Sequence, residues 1–236
     1  MSELIGYQLD DGVATLTLSN GKLNVISVDV LDALDAAFDQ ALADEAVIVV
    51  ASAQAGVFSF GYDLKVLRAD PEGAADLLTR GSTFARRMLA HPYPVIVACN
   101  GHARGEGAYI LLSADHRIGA EGPFTISLPG VAVGMLMNRV GIELARDRLS
   151  NAAFQRAVNN AEAFGPQAAM AAGFLDQVVP ADTLMDAARA VARNLAQLDM
   201  VSHGHTKLLA RKALLEQLEE GTKADRAQIL LETEIR

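Results

Sequence analysis

Two glycine-containing segments carry the groups that could do chemistry in this chain. The first covers residues 58–65 (FSFGYDLK) and comes soon after the apolar run 46–50. The second covers residues 100–107 (NGHARGEG) and directly follows the apolar run 95–99. Glycine after a strand lets backbone N–H groups approach a ligand closely, and the N-terminus of a following helix adds positive potential. Two such turns, each offering one amide, could converge on a single oxygen and form an oxyanion hole.

Neither segment fits a common nucleotide-binding loop. The second lacks the Gly-Lys-Ser/Thr ending of a P-loop, and Gly101, Gly105 and Gly107 do not have the spacing of a dinucleotide fingerprint. Taken singly, each segment is also compatible with a plain structural turn. Only the combination of the two points to a site.

Several reactive side chains have ordinary structural interpretations. Asp63 is expected to cap the helix that follows it, and His102 is expected to be a hydrogen-bonding scaffold. His203 and His205 have no third ligand at metal spacing, so a zinc site is not expected. Cys99 ends an apolar run and is expected to be buried and inert.

The hydrophobic pattern predicts the elements that must position these segments. Short alternating or continuous apolar runs predict strands, and apolar residues at helical spacing predict helices. The predicted strands cover residues 5–9, 13–18, 46–50, 94–99 and 115–119. The predicted helices run from an N-cap at Ser27 through Leu42, over residues 72–90 and over residues 108–114, with a turn at 101–107. This alternation predicts an α/β fold with a substantially parallel sheet.

The pattern becomes almost purely helical after Gly141. Helices are predicted over residues 142–149, 152–159, 167–172, 184–198 and 207–218, with one strand-like interruption at 175–179. We therefore expect a catalytic-type core over residues 1–180 and a helical C-terminal region over residues 181–236. An apolar stripe that includes Leu208, Leu209 and Leu218 needs either a partner surface or the protein's own core.

Composition excludes several classes of function. The 236 residues include 29 acidic and 20 basic side chains, and the net charge of −9 disfavours a nucleic-acid or anionic-membrane surface. The single cysteine excludes an intramolecular disulfide, and no apolar run reaches the roughly 18 residues of a membrane-spanning helix. The Met-Ser-Glu-Leu start has no basic region followed by an apolar stretch, so we expect a soluble, cytoplasmic protein.

Taken in order along the chain, the segments resemble the crotonase (enoyl-CoA hydratase/isomerase) superfamily. Residues 58–65 look like its first conserved loop, residues 94–108 look like its second, and residues 113–118 continue the match. Residues 171–180 (AAGFLDQVVP) resemble the segment near its trimerisation helices. The resemblance spans nearly the whole chain, and parts of the last two segments look closest to the short enoyl-CoA isomerase-like branch.

The resemblance implies a crotonase-like fold of repeated ββα units, with helices that assemble a homotrimer or a dimer of trimers. It also implies an acyl-CoA thioester as substrate, so coenzyme A is part of the substrate and no separate cofactor or metal is expected. The backbone N–H groups of Tyr62 and Glu106 would hold the thioester oxygen, which acidifies the α-carbon and stabilises an enolate. The implied substrate-binding residues are Lys22, Leu23, Asn24, Phe60, Gly61, Lys65, Gly105 and Gly130.

The acids depart from the superfamily pattern. The positions of its catalytic glutamates hold Tyr109, Gly130 and Asn138 here, so hydration by two glutamates is not expected. The nearest carboxylate is Glu106, at a position where the superfamily usually has a glycine or another small or apolar residue. Two interpretations of Glu106 stay open: a base with a pKa raised by apolar surroundings, or a side chain that points to solvent or pairs with a cation such as Arg104. Tyr109 is open in the same way, as a proton donor or a core residue.

The reaction most compatible with one acid–base group is a double-bond shift between 3-enoyl-CoA and 2-enoyl-CoA. In this hypothesis Glu106 is the base, and the amides of Tyr62 and Glu106 stabilise the enolate. One alternative is an enoyl-CoA hydratase or acyl-CoA hydrolase in which Tyr109 or Asn138 places a water molecule. A second alternative is a catalytically silent acyl-CoA-binding or assembly protein, which the three missing acids favour.

Overall fold

A six-stranded sheet with one antiparallel edge organises the described part of the chain. The computed structural model describes residues 4–234, except for the side chains of residues 69 and 232–234. The Met-Ser-Glu start, on which the expected lack of a leader segment partly depends, lies outside this range. Among the described residues, no helix has the length and apolar content needed to cross a bilayer.

The described residues contain ten strands and ten α-helices. The strands are β1 (Ile5–Asp10), β2 (Val13–Leu18), β3 (Val47–Ser52), β4 (Gly56–Ser59), β5 (Val95–Cys99), β6 (Gly101–Arg104), β7 (His116–Ala120), β8 (Ile126–Ser127), β9 (Ala163–Phe164) and β10 (Gln177–Val179). The helices are α1 (Val28–Ala43), α2 (Leu64–Ala69), α3 (Pro71–Ala90), α4 (Glu106–Ser113), α5 (Arg139–Arg148), α6 (Asn151–Val158), α7 (Pro166–Ala172), α8 (Leu184–Leu195), α9 (Met200–Ala210) and α10 (Lys212–Glu234). Short 3₁₀ turns lie at Val131–Val133 and Ala181–Thr183.

The main sheet has the order β1-β2-β3-β5-β7-β10. Strands β1 and β2 form an antiparallel hairpin with Ile5 opposite Leu18, and the remaining pairs are parallel. All residues of β5 and nearly all of β3 are buried, because α8 packs against these strands and other layers cover the opposite face. The predicted α/β class and the buried strands are confirmed.

The second sheet has four strands in the order β4-β6-β8-β9. The first glycine-containing segment begins in β4, and the second contains β6. Strand β6 occupies Gly101–Arg104, so the prediction of a turn over residues 101–107 is wrong for its first half. The glycines of that segment gave a turn signal, whereas parallel pairing with β4 and β8 determines the backbone conformation. Because β4 and β6 are parallel neighbours, the loops that follow them leave from the same edge of the sheet.

The C-terminal helices differ from the prediction in their bounds, most clearly at residue 211. The predicted helix over residues 207–218 is wrong, because α9 ends at Ala210 and α10 begins at Lys212. The stripe on these helices has a mixed outcome: Leu218 is fully buried in the protein's own core, whereas Leu208 and Leu209 are exposed. Strand β9 was not predicted, since two residues are too few to show a period.

A buried ion cluster around Asp115 joins the C-terminal helices to the main sheet. The Asp115 carboxylate accepts hydrogen bonds from the Val95 backbone N–H at 2.7 Å and from Lys207 Nζ at 2.6 Å. The Arg211 guanidinium lies 2.8 Å from its other oxygen, at the junction of α9 and α10. Lys207 and Asp115 are nearly inaccessible to solvent, so each charge depends on the other for compensation.

Replacing Asp115 by alanine is expected to lower the free energy of unfolding by about 3–5 kcal/mol, because Lys207 and Arg211 would both lose the carboxylate that compensates their largely buried cationic groups. Urea denaturation measures this loss. Asp182→Ala removes an exposed carboxylate and is the matched control, expected to change stability by less than about 0.5 kcal/mol. A loss of similar size in both variants would contradict the proposed importance of the cluster.

Candidate active site

The two glycine-containing segments meet through their backbones. Gly61 has a positive φ of 80°, which other residues rarely adopt. A Cβ atom on Gly61 would lie 2.6 Å from the Arg104 carbonyl oxygen and 3.0 Å from the Glu106 backbone nitrogen. The first segment therefore packs directly against the start of α4, and only glycine leaves space for this contact.

The first segment is held in place by Asn24, which was predicted to be a substrate contact. The Asn24 side-chain amide donates to Ser52 Oγ at 2.7 Å and to the Phe58 carbonyl at 3.2 Å. The Ser59 hydroxyl donates to the Asn24 backbone carbonyl at 2.7 Å. Asn24 is fully buried, so it has no surface to offer a ligand. The prediction is corrected: Asn24 supports the loop from behind.

Other residues expected to contact the CoA group lie around the outside of this loop. Lys22, Leu23 and Lys65 are exposed, and the Phe60 N–H donates to the Leu23 carbonyl at 3.0 Å. Asp63 accepts from the Lys65 N–H at 2.8 Å, which confirms its prediction as a helix cap. The three exposed side chains do not line the cavity described below.

His102 and Arg104 support Phe60 from the second segment. The His102 ring packs between Phe60 and Phe124, with 5.6 and 6.4 Å between the ring centres. Its Nδ1 accepts a hydrogen bond from the Thr125 backbone N–H at 3.1 Å. The Arg104 guanidinium lies 5.0 Å from the centre of the Phe60 ring. These contacts confirm His102 as a scaffold residue. Cys99, also predicted to be structural, is buried, and burial raises the pKa of its thiol to about 12.

A mainly apolar cavity of about 210 Å³ lies where the two segments meet. The predicted site residues that line it are Phe60, Tyr62, Gly105, Glu106, Tyr109, Gly130 and Asn138. Sequence reasoning missed Leu78 of α3 and Met137, whose apolar side chains gave no signal that separates a cavity wall from a core. The structure thus brings the second segment together with all three implied glutamate positions, Tyr109, Gly130 and Asn138, of which the last is at the start of α5.

A larger cavity of about 640 Å³ adjoins the first. The two share Leu67, Leu78, Val133 and the loop 135–138, and the larger one reaches Ala74 of α3 and Ile229 of α10. An elongated apolar group in the first cavity could therefore continue toward the C-terminal helix.

Glu106 is the first residue of α4 and is only 2% exposed. Burial raises the pKa of its carboxyl group from 4.5 to about 8, and the nearby Tyr62 hydroxyl opposes part of that rise. Among the described residues, Oε1 of Glu106 has no hydrogen-bond partner, and no cation forms an ion pair with the carboxylate. The interpretation that Glu106 is solvated or paired with Arg104 is therefore wrong.

The two tyrosines beside Glu106 have different environments. The Tyr109 hydroxyl donates to Asn138 Oδ1 at 3.0 Å, and the same oxygen accepts from the Gly141 N–H as the cap of α5. The Tyr109 hydroxyl thus has its hydrogen-bond acceptor in the Asn138 side chain. The Tyr62 hydroxyl is buried, and burial, followed by the nearby Glu106 carboxylate, holds its pKa well above the usual value. Within the described lining of the first cavity, Glu106 is the single carboxylic acid.

Replacing Glu106 by glutamine is expected to change how stability depends on pH. The pKa of Glu106 in the folded chain, about 8, lies above its ordinary value of 4.5. Folding therefore favours the protonated form, and the carboxyl group costs stability progressively as the pH rises from about 4.5 through 8. Glu106→Gln removes this cost and should be more stable than the unmodified protein at pH 9, by an amount on the order of 2–4 kcal/mol.

Urea denaturation at pH 4 and pH 9 measures this difference, which should vanish at pH 4. Glu121→Gln changes an exposed carboxylate and is expected to follow the unmodified protein at both pH values. Equal stability of Glu106→Gln and the unmodified protein at pH 9 would show that Glu106 is not a buried acid.

Comparison with known proteins places this site within a family. The profile of the family described as "Enoyl-CoA hydratase/isomerase" matches residues 8–233. A crystal structure of an enoyl-CoA hydratase/isomerase family protein from Pseudomonas syringae is 55% identical, with a TM-score of 0.95 over 97% of this chain and 99% of that one. The apo structure of an enoyl-CoA isomerase from Mycobacterium tuberculosis is 34% identical, with a TM-score of 0.92 over 96% of this chain and 99% of that one.

A human relative extends the match to a longer protein. Enoyl-CoA hydratase domain-containing protein 3, mitochondrial, is 30% identical over 192 residues, which cover 80% of this chain and 63% of that protein. The chain thus spans less than two thirds of the length of that relative. The family match covers both glycine-containing segments and Glu106, and the structural matches confirm the predicted crotonase-like fold. The chain belongs to the enoyl-CoA hydratase/isomerase family.

Proposed function

We propose that the protein isomerises 3-enoyl-CoA to 2-enoyl-CoA, with Glu106 as the group that moves the proton. The observation that carries the proposal is one buried carboxyl group, with no ion-pair partner among the described residues, in an apolar cavity beside two converging loops. Its raised pKa of about 8 fits a group that must exchange a proton near neutral pH. One structure of the similar Mycobacterium tuberculosis protein names it an enoyl-CoA isomerase and another names it a probable enoyl-CoA hydratase, so the single buried acid among the described cavity residues carries the choice of isomerisation.

The backbone N–H groups of Tyr62 and Glu106 would hold the thioester oxygen. Glu106 is the first residue of α4, where a helix offers its N–H no internal acceptor, and the helix dipole favours negative charge there. Gly61 brings the loop before Tyr62 against this amide. Two fixed donors of this kind stabilise the enolate oxygen that forms when the α-carbon loses a proton.

The proposed reaction needs a single acid–base group. The Glu106 carboxylate takes a proton from C2 of the 3-enoyl thioester, which leaves a dienolate held by the two amides. The protonated Glu106 then returns the proton to C4, so that the double bond lies between C2 and C3. Hydration would need a second group to activate water. The nearby Tyr109 hydroxyl already donates its hydrogen bond to the Asn138 side chain, which does not favour either residue for that task.

The proposed substrate and assembly extend this function. An acyl-CoA thioester would lay its acyl group in the cavity and its CoA group along the exposed Lys22, Leu23 and Lys65. We propose a homotrimer or a dimer of trimers, which the exposed Leu208 and Leu209 of α9 support, since such side chains gain by being covered.

Glu106→Gln is expected to lower kcat/KM for the conversion of 3-enoyl-CoA to 2-enoyl-CoA by about 10²–10⁴-fold, the usual contribution of a general base. In the unmodified protein, kcat/KM should rise with pH and level off above about 8, because the base acts only when ionised. Absorbance of the conjugated product follows the reaction, and Glu121→Gln is the control. Unchanged turnover in Glu106→Gln would remove Glu106 from the mechanism, and a hydrated product from crotonyl-CoA would identify a hydratase instead.

Filling the larger cavity is expected to shorten the preferred acyl chain. Ile229→Trp places a bulky ring where the end of a long chain would lie, so kcat/KM should fall at least tenfold for long-chain substrates and little for short-chain substrates. Ala227→Trp, an exposed position on the same helix, is the matched control. An equal effect of Ile229→Trp on both chain lengths would show that the acyl group does not enter this cavity.

A further inference from the structure

Three buried polar atoms of residues that line the cavity have no hydrogen-bond partner within the described part of the chain. They are the Tyr62 hydroxyl oxygen, Oε1 of Glu106 and Nε of Arg104. Buried polar groups in folded proteins are nearly always hydrogen-bonded, so each atom requires an explanation. The Tyr62 hydroxyl is a hydrogen-bond donor, and Oε1 becomes a strong acceptor when Glu106 loses its proton. The Tyr62 hydroxyl lowers the pKa of Glu106, and the Glu106 carboxylate raises the pKa of Tyr62.

Gly81 of α3 determines where the Tyr62 hydroxyl lies. A Cβ atom at position 81 would be 1.7 Å from that hydroxyl oxygen and 2.7 Å from the Tyr62 Cζ. Glycine in the middle of a 20-residue helix weakens the helix relative to alanine. A reason for glycine at this buried position is the space that it leaves for the tyrosine.

We propose that Tyr62 is a positioning residue for Glu106: its hydroxyl donates a hydrogen bond to the ionised carboxylate, and Gly81 leaves the space that puts the hydroxyl there. The inference rests on the proposed function, in which Glu106 must ionise to act. It adds a side-chain role to a residue whose backbone N–H was assigned to the thioester oxygen.

Most of the other charged or titratable groups near Glu106 already have polar partners. Tyr109 on α4 donates to Asn138. Arg104 at the end of β6 packs over the Phe60 ring, and its buried Nε has no hydrogen-bond partner among the described residues. Asp225 of α10 accepts hydrogen bonds from Arg139 on α5, at 2.6 Å from the guanidinium and 2.8 Å from the backbone N–H. The Tyr62 hydroxyl is the donor best placed to stabilise the ionised form of Glu106, because it is the neighbouring group that lowers the pKa of that carboxyl group.

The test compares Tyr62→Phe and Gly81→Ala with the unmodified protein. Loss of a donor to the carboxylate disfavours its ionised form, so the midpoint of the pH profile of kcat/KM should rise by about one pH unit, a tenfold change in proton affinity. Gly81→Ala keeps the hydroxyl but displaces it, and should raise the midpoint in the same direction. Tyr93→Phe and Gly165→Ala are matched controls away from the cavity, and Gly165 has open space for a Cβ atom.

A titration that does not depend on activity separates this inference from the proposed function. Carbon-13 NMR of the glutamate carboxyl groups, with the Glu106 signal assigned from Glu106→Gln, reports the pKa directly. An upward shift of that signal in Tyr62→Phe supports the inference even if turnover does not need Glu106, an outcome that would contradict only the proposed function. An unshifted Glu106 titration in folded Tyr62→Phe overturns it, and this variant decides the question if Gly81→Ala fails to fold.

Discussion

The burial of one carboxyl group is the constraint on which the site depends. Glu106 is at the first position of α4, where the helix dipole favours a negative charge by only about 0.3–1 kcal/mol. Burial nevertheless raises its pKa from 4.5 to about 8, and each pKa unit corresponds to about 1.4 kcal/mol. Desolvation therefore outweighs the dipole, and most Glu106 carboxyl groups keep their proton at neutral pH. A group in this state both takes and returns protons near working conditions.

The scaffold makes that burial possible by holding two loops in backbone contact. Strands β4 and β6 are parallel neighbours, so the segments after them leave from one edge of the sheet. Gly61 then allows a contact that any Cβ atom would block, and the buried Asn24 amide ties the first loop to β3 and β4. In this arrangement Glu106 is only 2% exposed, and its carboxyl group lies in a mainly apolar cavity instead of at the protein surface.

The parts that the sequence predicted are those with a local cause. Ser27 caps α1 because its hydroxyl oxygen accepts a hydrogen bond from the Val30 backbone N–H in the first turn of that helix. Strands β3 and β5 form over short continuous apolar runs. The burial of Glu106 has no local signal, because a carboxylate between two glycines looks the same in sequence whether packing covers it or not. The break between α9 and α10 has no local signal either. It falls at Arg211, whose guanidinium forms an ion pair with Asp115 from a distant part of the chain.

The position of Glu106 combines two tasks in one residue. Its backbone N–H is a proposed donor to the thioester oxygen, and its side chain is the proposed base, so one Cα atom determines the distance between them. Tyr109, Gly130 and Asn138 stand at the positions for which the sequence resemblance implies catalytic glutamates. Tyr109 on α4 hydrogen-bonds to Asn138, which caps α5. Because a backbone donor does not depend on its side chain, a change of carboxyl to amide at Glu106 is expected to remove the proposed proton transfer and to keep the proposed N–H donor. The two proposed tasks would then be separable by substitution, although one residue carries both.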